Sequence, residues 1–369
     1  MGPLFKYTGG KYGEYGNICN LLPSSINNYY EPFVGGGGIL FKLNENQKIS
    51  GKNYINDYSK SLIEFYRCVG KDEFKTELNK LNDSWDKIRD FSKKIAEKFG
   101  DRYFDIIQGR LDEDFVNKQM KQSITRFVNN FSYNIHNFSL RDEIIEQLED
   151  KTKRFKRKKI DDSKTDVPFK SITTAICQAF YFVIRNMYND WNVCGNWDKY
   201  TINERSAHWT FIREFCFGSM FRFGKDGKFN IPYGGFSYND KCFKCKIDKI
   251  FSDDARFISE NTESTCLDFE EAIKSYNFAD DDFIFLDPPY DSTFSEYDGN
   301  EFSKADHKRL AGILKHIKCK WMMIIGKTDF IYNLYKDFNI LEYDKTYMYQ
   351  ARCKYNNKKT KHIIITNYK

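Results

Sequence analysis

The sequence predicts an α/β fold, in which a doubly wound, mostly parallel sheet is interrupted by a long, largely helical insertion that carries a β-hairpin. Three observations lead to this prediction. A strand runs directly into a glycine turn and a helix at residues 29–41, and a second apolar strand at 283–286 ends in a proline-rich turn. Between them, residues 70–215 are highly charged, with helical periodicity and few Gly or Pro residues. We therefore expect a discontinuous α/β domain formed by residues 1–69 and 250–369, with residues 70–249 as the inserted domain.

The composition of the chain bounds its class without deciding its function. A chain of 369 residues with 41% hydrophobic residues can form one large domain or two domains of ordinary size. The formal net charge of +6 fits a polyanionic partner, but it fits a protein without a nucleic-acid role equally well. We find no stretch that approaches the roughly 18 apolar residues of a membrane span, and no signal peptide. The ten cysteines lack the spacing of a disulfide framework, which indicates reduced thiols and a cytoplasmic protein.

The N-terminal part of the predicted sheet contains a candidate ligand site. Residues 29–34 are predicted to form a strand that leads into Gly35-Gly36-Gly37-Gly38, and a second strand at 53–56 ends at Asp57. Glycines at a strand–helix turn let a ligand approach the backbone, and a ribose-binding carboxylate is expected about 20 residues further on. The run lacks the Gly-x-Gly-x-x-Gly spacing, so the glycines alone would fit a flexible loop equally well. Asp57 favours the ligand site.

The insertion contains three segments that allow a prediction. Residues 217–235 are predicted to form a β-hairpin, because Asp226-Gly227 lies between alternating apolar residues. The run 151–159 has seven basic residues in nine, and we expect 151–167 to be an exposed loop or linker that contacts phosphates or is simply solvated. Cys242 and Cys245 have half of the spacing of a zinc site, but no fitting second pair follows, so we predict no metal site.

The C-terminal part resumes the α/β pattern and contains the strongest motif. The apolar strand 283–286 leads into Asp287-Pro288-Pro289-Tyr290, and a helix from Ser303 to about Ile317 and strands at 320–325 and 361–366 follow. In open α/β sheets, ligands bind beyond the carboxyl ends of the strands. A rigid Pro-Pro turn is the alternative interpretation of this tetrapeptide, but its place after a buried strand favours a ligand site.

The chemistry of this tetrapeptide suits methylation of an exocyclic amine. The N6 amine of adenine is a poor nucleophile, because its lone pair is delocalised into the ring. A carboxylate and a backbone carbonyl that each accept one amine proton would direct that lone pair at a sulfonium methyl group, by positioning and electrostatics. The prolines fix the backbone so that the Pro288 carbonyl can face the site. Tyr290 offers a flat face for a base taken out of the DNA stack.

In these motifs the sequence resembles the Dam-type (D12 class, α group) DNA N6-adenine methyltransferases. Five motifs occur in the family's order: Tyr7-Thr8-Gly9-Gly10-Lys11, Glu31 to Gly38, Asn56-Asp57, Asp268-Phe269, and Asp287 to Tyr290. The run from Phe217 to Gly235 resembles the family's target-recognition hairpin, and 361–368 resembles its last strand. Gly326-Lys327 stands where the family often has Ser-Asn, and residues 70–215 match no family motif, so the recognition sequence is not predicted.

The resemblance implies a Rossmann-like catalytic domain that uses S-adenosylmethionine and acts on double-stranded DNA, in the cytoplasm of a prokaryote or of a virus-infected cell. A companion restriction endonuclease is a further expected partner, and no metal or membrane is expected. The catalytic residues implied are Asp287, Pro288, Pro289 and Tyr290. The cofactor-binding residues implied are Tyr7, Lys11, Phe33, Gly35, Gly36, Gly37, Asp57, Asp268, Phe269 and Asp287. The DNA-binding residues implied are Met220, Arg222, Pro232 and Tyr233. Apart from the resemblance, the basic residues Arg352, Lys354, Lys358, Lys359 and Lys361 are further candidates for phosphate contacts.

Two rival functions stay open at the level of the sequence. The same fold acting on cytosine N4 or on RNA would use equivalent amine chemistry, and analysis of the methylated nucleoside would separate these substrates. A non-catalytic DNA-binding protein that keeps the fold is the rival from another class, and cofactor binding would exclude it. The absence of a Pro-Cys nucleophile disfavours the cytosine-C5 route, which needs a thiolate.

Overall fold

The computed structural model describes residues 2–7, 9–111, 113–158, 166–290, 296–297, 300–345 and 360–369. The chain forms two compact units, one comprising Met1–Val69 with Ser252–Lys369 and the other comprising Gly70–Phe251. We refer to them as the sheet unit and the helical unit. Thr8 and the basic residues Arg352, Lys354, Lys358 and Lys359 lie outside the described residues.

The N-terminal part of the sheet unit forms two strands and three helices. After a 3-10 turn at Lys11–Glu14, its elements are α1 (Tyr15–Ile18), β1 (Tyr29–Glu31), α2 (Gly38–Glu45), β2 (Asn53–Asn56) and α3 (Lys60–Cys68). Strand β1 ends at Glu31, three residues earlier than predicted. The chain turns there, because the Val34 carbonyl accepts a hydrogen bond from the Gly37 N–H at 2.7 Å instead of continuing a ladder.

The helical unit is built around one buried helix. Its elements are α4 (Asp72–Ile107), α5 (Glu113–Asn129), α6 (Leu140–Lys158), α7 (Val167–Asn192), α8 (Ile202–Phe215) and α9 (Phe243–Ile250). Helix α7 is apolar and packs against α4, α6 and α8. The helix has 26 residues, and an 18-residue window within it reaches a mean hydropathy of 1.3, which is apolar enough for a membrane span, so our expectation that no such stretch exists is wrong for α7. Because 72% of its apolar window is buried within the protein, α7 serves as the core helix of this unit.

The basic run is helical rather than a loop. Helix α6 continues to Lys158, so the predicted loop over 151–167 is wrong for residues 151–158. Lys and Arg are good helix formers, and basic side chains in the last turns interact favourably with the helix dipole. Thr152 in this stretch bonds to the Leu148 carbonyl at 2.8 Å and to the Tyr103 hydroxyl at 3.0 Å, which holds the helix against α4.

The predicted β-hairpin is an irregular loop with two isolated bridges, Cys216 to Tyr233 and Phe223 to Phe229. The turn between Phe223 and Phe229 is closed by a hydrogen bond of 2.8 Å from the Gly224 N–H to the Lys228 carbonyl. The regular ladder is missing because α7 takes the backbone groups that would form it. Asn189 exchanges two hydrogen bonds with the backbone of Phe229, at 2.9 and 3.1 Å. The Tyr181 hydroxyl donates to the Ile231 carbonyl at 2.9 Å.

One cysteine pair departs from the expected reduced state. Cys242 and Cys245 form a disulfide at the start of α9, so the prediction of reduced thiols is wrong for this pair. In an i, i+3 pair at a helix N-terminus the two side chains are close enough to be joined. Within the described parts of the chain, the remaining cysteines form no disulfide and no group of side chains has the arrangement of a metal site.

The C-terminal part completes the sheet unit. Its elements are α10 (Asp253–Glu260), β3 (Thr262–Thr265), α11 (Phe269–Ser275), β4 (Phe283–Leu286), β5 (Glu296–Tyr297), β6 (Asn300–Glu301), α12 (Lys304–Leu314), β7 (Lys320–Gly326), α13 (Asp329–Leu334), β8 (Asn339–Lys345) and β9 (Thr360–Thr366). Helix α12 begins where the sequence predicts, with a capping box between Ser303 and Asp306, and it ends three residues before the predicted Ile317.

The main sheet is mixed and has seven strands in the order β3-β2-β1-β4-β7-β9-β8. The first five of these strands are parallel, whereas β9 is antiparallel to both β7 and β8. Strands β1 and β4 are neighbours although most of the chain separates them. Because the carboxyl ends of parallel strands meet at one edge, the glycine turn after β1, Asp57 after β2 and Asp287 after β4 lie along the same edge.

Candidate active site

Asp287 lies at the carboxyl edge of the sheet and is paired with a buried lysine. It follows four fully buried residues of β4, and its own side chain is 21% exposed. The Lys11 ammonium donates to Asp287 Oδ1 at 2.5 Å and to the Gly9 carbonyl at 2.8 Å, while its side chain is only 2% exposed. The N-terminal segment therefore delivers a positive charge directly to the carboxylate of the tetrapeptide.

Tyr290 packs beside this ion pair. Lys11 Nζ lies 5.1 Å from the centre of its ring, at cation–π distance. Gly326, which ends β7, is so near that a Cβ built there would lie 3.8 Å from Tyr290 Cδ2. The His362 ring meets the Tyr290 ring edge-on, with centres 5.4 Å apart. Pro288 is buried and Pro289 half-buried, so the tetrapeptide is fixed on several sides.

A buried polar cluster that the sequence did not reveal lies behind Tyr290. It consists of Glu14, Tyr343 and His362. The Tyr343 hydroxyl donates to Glu14 Oε2, and His362 Nδ1 lies 3.5 Å from the Tyr343 oxygen and 3.8 Å from Glu14 Oε2. Glu14 follows Lys11 by one 3-10 turn, so the two face the same side of the turn. That spacing is the one signal in the sequence that could have connected Glu14 with the site.

A hydrogen bond joins the glycine turn to Asp57, which agrees with the expectation that both belong to one ligand site. Asp57 Oδ2 accepts the Gly35 N–H at 3.0 Å, and Oδ1 accepts the Ser59 N–H at 3.0 Å. The Tyr66 hydroxyl donates to the Gly35 carbonyl at 2.9 Å. These contacts hold the carboxylate of Asp57 beside the backbone of the turn.

The need for glycine in this turn comes from the protein itself, which the sequence analysis did not foresee. A Cβ at Gly36 would lie 2.7 Å from Tyr7 Cβ, much closer than real Cβ contacts. Gly37 has a φ of +63°, and a Cβ there would lie 2.8 Å from the Tyr66 hydroxyl. The sequence analysis expected these glycines to let a ligand approach the backbone, and the packing of Tyr7 and Tyr66 against them is an additional reason for glycine.

Glu31 is a buried carboxyl group between the two acidic positions. It ends β1 and is 2% exposed. Burial is the main cause that raises its pKa well above the usual value of 4.5, and the charges of Asp287 and Asp57 raise it further. Burial therefore favours the neutral form of the Glu31 carboxyl group.

Asp268 and Phe269 begin α11, and an arginine missed by the sequence analysis holds both. Asp268 Oδ1 caps the helix by accepting the Glu270 N–H at 2.9 Å. The Arg309 guanidinium donates to both oxygens of Asp268, at 3.1 Å each, and lies 4.6 Å from the centre of the Phe269 ring. Arg309 also contacts Glu270 at 2.7 Å and Asp306 at 2.8 Å. The Arg309 side chain thus ties α12 to the start of α11.

Phe33 connects the glycine motif with this pair. Its ring centre lies 5.6 Å from that of Phe269 and 5.7 Å from that of Phe302. Phe269 and Phe302 are themselves 5.3 Å apart. The structure therefore brings together Phe33, Phe269 and Phe302 from three separate parts of the chain.

The four residues predicted to bind DNA lie in the helical unit and differ in exposure. Arg222 and Pro232 are exposed, and Met220 is 41% exposed. Tyr233 is only 5% exposed, and its hydroxyl donates to Asn239 at 2.9 Å. The prediction that Tyr233 contacts DNA is therefore wrong, because residues 229–233 alternate between buried and exposed and place Tyr233 on the buried side. Phe217, which was not singled out, is 47% exposed next to Met220.

Comparison with known proteins agrees with this arrangement. The sequence model of the D12 class N6 adenine-specific DNA methyltransferases matches residues 7–349. The chain is 31% identical over 206 residues to the type II methyltransferase M.CviBI of Paramecium bursaria Chlorella virus NC1A, an alignment that covers 54% of this chain and 76% of the relative.

Two cellular relatives extend the likeness. The type II methyltransferase M1.LlaDCHI of Lactococcus lactis is 24% identical across 99% of this chain and 95% of its own length. The DNA adenine methylase of Haemophilus influenzae is 31% identical over 124 residues, which are 31% of this chain and 39% of that protein.

The family match spans nearly the whole chain, and the motifs that carry it meet at one edge of the sheet. The enzyme therefore transfers a methyl group to adenine in DNA, and the chain belongs to the D12 class of N6 adenine-specific DNA methyltransferases.

Proposed function

We propose that this enzyme uses S-adenosylmethionine to methylate the N6 amine of adenine within a specific sequence of double-stranded DNA, with Asp287 as the central catalytic residue. The observation that carries the proposal is the contact between Lys11 Nζ and Asp287 Oδ1, 2.5 Å long, at the edge where the glycine turn and Asp57 also lie.

The residues at this edge fit S-adenosylmethionine, which supplies an electrophilic methyl group on a positively charged sulfur. The carboxylates of Asp57 and Asp287 suit a cationic ligand. The Gly35 and Ser59 N–H groups orient the carboxylate of Asp57, which we assign to a ribose hydroxyl. Asp268 and Phe269 offer an acceptor and an aromatic face for an adenine ring. Phe33, Tyr7 and the backbone of Gly35, Gly36 and Gly37 complete the proposed cofactor site.

Asp287 acts on the target amine in this proposal. Lys11 holds Oδ1 of Asp287, and the carboxylate accepts a hydrogen bond from one N6 hydrogen while the Pro288 carbonyl accepts one from the other. These two hydrogen bonds direct the nitrogen lone pair out of the ring plane and towards the methyl donor. When nitrogen gains the methyl group it loses one proton, which the carboxylate of Asp287 accepts in this proposal.

Tyr290 and Pro289 hold the target base. A base that is taken out of the duplex loses its stacking partners, and an aromatic face replaces part of that stacking. Lys11, His362 and Gly326 surround the Tyr290 ring and limit its movement. The ring is therefore pre-organised to accept a flipped adenine.

The exposed side of the loop in the helical unit reads the DNA sequence in this proposal. Arg222 pairs with a guanine edge, since guanidinium and guanine O6/N7 match bidentately. Met220 and Pro232 supply apolar contacts to neighbouring bases. Two of the relatives are named type II methyltransferases, and these names support the proposal that a companion restriction endonuclease is a partner.

The test is transfer of labelled methyl from S-adenosylmethionine to DNA, followed by nucleoside analysis of the product. We expect labelled N6-methyladenine with the wild-type protein and a loss of at least 1,000-fold with Asp287→Ala, about 4 kcal/mol of transition-state stabilisation. Asp282→Ala is not a suitable control, because the Asp282 carboxylate accepts a hydrogen bond from the Asn28 N–H next to β1. The control is therefore Asp280→Ala, since Asp280 is exposed. Labelled N4-methylcytosine, or full activity of Asp287→Ala, would refute the proposal.

A further inference from the structure

We infer that the basic end of α6, formed by the exposed residues Lys153, Arg154, Lys156 and Arg157, binds the phosphate backbone of duplex DNA that flanks the target sequence. The inference rests on the enzyme's action on DNA and not on the residue roles proposed for the active site. None of these four residues belongs to the family motifs, and the run was first expected to be a loop.

The first support is charge without compensation. Helix α6 is acidic in its first half, but residues 151–158 contain no acidic residue. Among the residues that the structure describes, Lys153, Arg154 and Arg157 form no ion pair. Glu149 lies one turn before Lys153, yet it pairs with Lys121 of α5 at 3.0 Å. The positive charges of Lys153, Arg154 and Arg157 are therefore available to an external anion.

The second support is crowding of like charges. Burial lowers the pKa of Lys151, and the nearby Arg154 charge lowers it further. Cations that lie close together repel one another, and a bound polyanion relieves this repulsion. Each phosphate that is neutralised also releases condensed counterions, which favours binding further. Helix-dipole stabilisation explains one or two basic residues in a last turn, but it falls off within that turn.

The third support is the place of this surface within the helical unit. Gln147 of α6 hydrogen-bonds Gln178 of α7 at 2.5 Å, and Glu143 interacts electrostatically with Arg185, so the two helices run antiparallel. Arg185 also contacts the Ile231 carbonyl of the loop proposed to read DNA, at 3.4 Å. Helix α6 and that loop therefore flank neighbouring sides of α7.

The separation along these helices predicts which part of the DNA is bound. Counting 1.5 Å per residue along α6 and α7, the basic end lies roughly 15–30 Å from the loop held by Tyr181 and Asn189. With successive phosphates of one strand about 3.4 Å apart, this distance corresponds to roughly 4–9 base pairs. The contacted phosphates lie outside the recognition sequence, so they add affinity without specificity.

The experiment measures how DNA affinity depends on salt for a variant that neutralises this surface. The variant combines Lys153→Gln, Arg154→Gln, Lys156→Gln and Arg157→Gln. A charge-matched control combines Lys87→Gln, Lys94→Gln, Lys98→Gln and Lys118→Gln, which are exposed lysines of α4 and α5. The target is first located by sequencing methylated DNA, and duplexes are then made with about 3 or about 15 base pairs on each side of it.

On the long duplex, we expect the slope of log K against log [salt] to become shallower by about 2 to 4 in the α6 variant, at roughly 0.9 per lost phosphate contact. The control variant should keep the wild-type slope, and the two variants should bind the short duplex equally. Methylation at saturating DNA and the target sequence should not change, which separates this inference from the active-site proposal. An unchanged slope, or an equal change in the control, overturns the inference.

A second measurement does not depend on the folding of a variant. Wild-type protein is bound to long duplexes in which neutral methylphosphonates replace the phosphates 4–9 base pairs to one side of the target. We expect weaker binding when the neutral patch is on one particular side of the target. Equal affinity for both patched duplexes and for the unmodified duplex also overturns the inference.

Discussion

Replacement of Lys11 by methionine tests how the N-terminal segment serves the reaction. The ammonium of Lys11 is buried and donates to Asp287 Oδ1 at 2.5 Å. Methionine keeps a straight side chain of similar length but removes the charge and the donor. Asp287 would keep its place after β4 and would lose the partner that fixes the orientation of its carboxylate.

The size of the effect follows from the kind of bond that is lost. A hydrogen bond to a charged group contributes about 1.5–3 kcal/mol, which corresponds to a rate factor of about 10- to 150-fold. The side chain of Asp287 is 21% exposed, so water replaces part of the lost contact and the lower half of this range is expected. The loss should appear in kcat, because Lys11 contacts the carboxylate that acts on the amine.

The assay is transfer of labelled methyl to DNA at varied S-adenosylmethionine concentrations. The resemblance to the family implies that Lys11 binds the cofactor, in which case KM for S-adenosylmethionine would rise while kcat stayed constant. The matched control is Lys52→Met, which removes a lysine–carboxylate contact of 2.6 Å at the exposed surface of the same unit. A kcat for Lys11→Met within threefold of the wild-type value would refute the reasoning.

Three further predictions follow from other contacts. Arg309→Ala should weaken binding of S-adenosylhomocysteine, measured by calorimetry, about tenfold or more, because Asp268 loses both guanidinium hydrogen bonds; unchanged affinity would contradict a role at the cofactor site. Gly36→Ala should destabilise the protein by about 1–3 kcal/mol in urea unfolding, because the new Cβ would meet Tyr7 Cβ at 2.7 Å; an unchanged midpoint would disprove the close contact. Burial lowers the pKa of His208 to about 3, so the stability that this residue contributes above pH 6.5 is lost as the pH falls. Between pH 6.5 and 5 the loss should be about 2 kcal/mol, and His208→Gln should remove it; an equally steep loss in that variant would speak against His208.

The parts of the fold that depend on local pattern could be predicted from the sequence. Strands β2 and β4 occupy the residues expected for them. For β4 the reason is its short apolar run, which is bounded by polar residues as in other buried strands. The capping box at Ser303 likewise fixes the start of α12. These local signals suffice to place Asp57 and Asp287 at the ends of strands, and the family motifs connect the two.

The parts that depend on contacts between distant segments could not be predicted. The loop at 217–235 has the local pattern of a hairpin, but side chains of α7, above all Asn189, take its backbone hydrogen bonds. Residues of the site such as Glu14 and Arg309 carry no motif, and each acts through partners far away in the chain. Tyr233 shows the same limit, because its burial depends on packing that the run Phe229 to Gly234 does not reveal.

The central claim is that the cofactor and Asp287 meet at the carboxyl edge of the sheet, and a crystal structure of the protein with S-adenosylhomocysteine tests it most directly. We predict the ribose at Asp57, the adenine ring at Asp268 and Phe269, and the sulfur towards Asp287. A ligand bound elsewhere, or a carboxylate of Asp287 that faces away from the sulfur, would contradict the account.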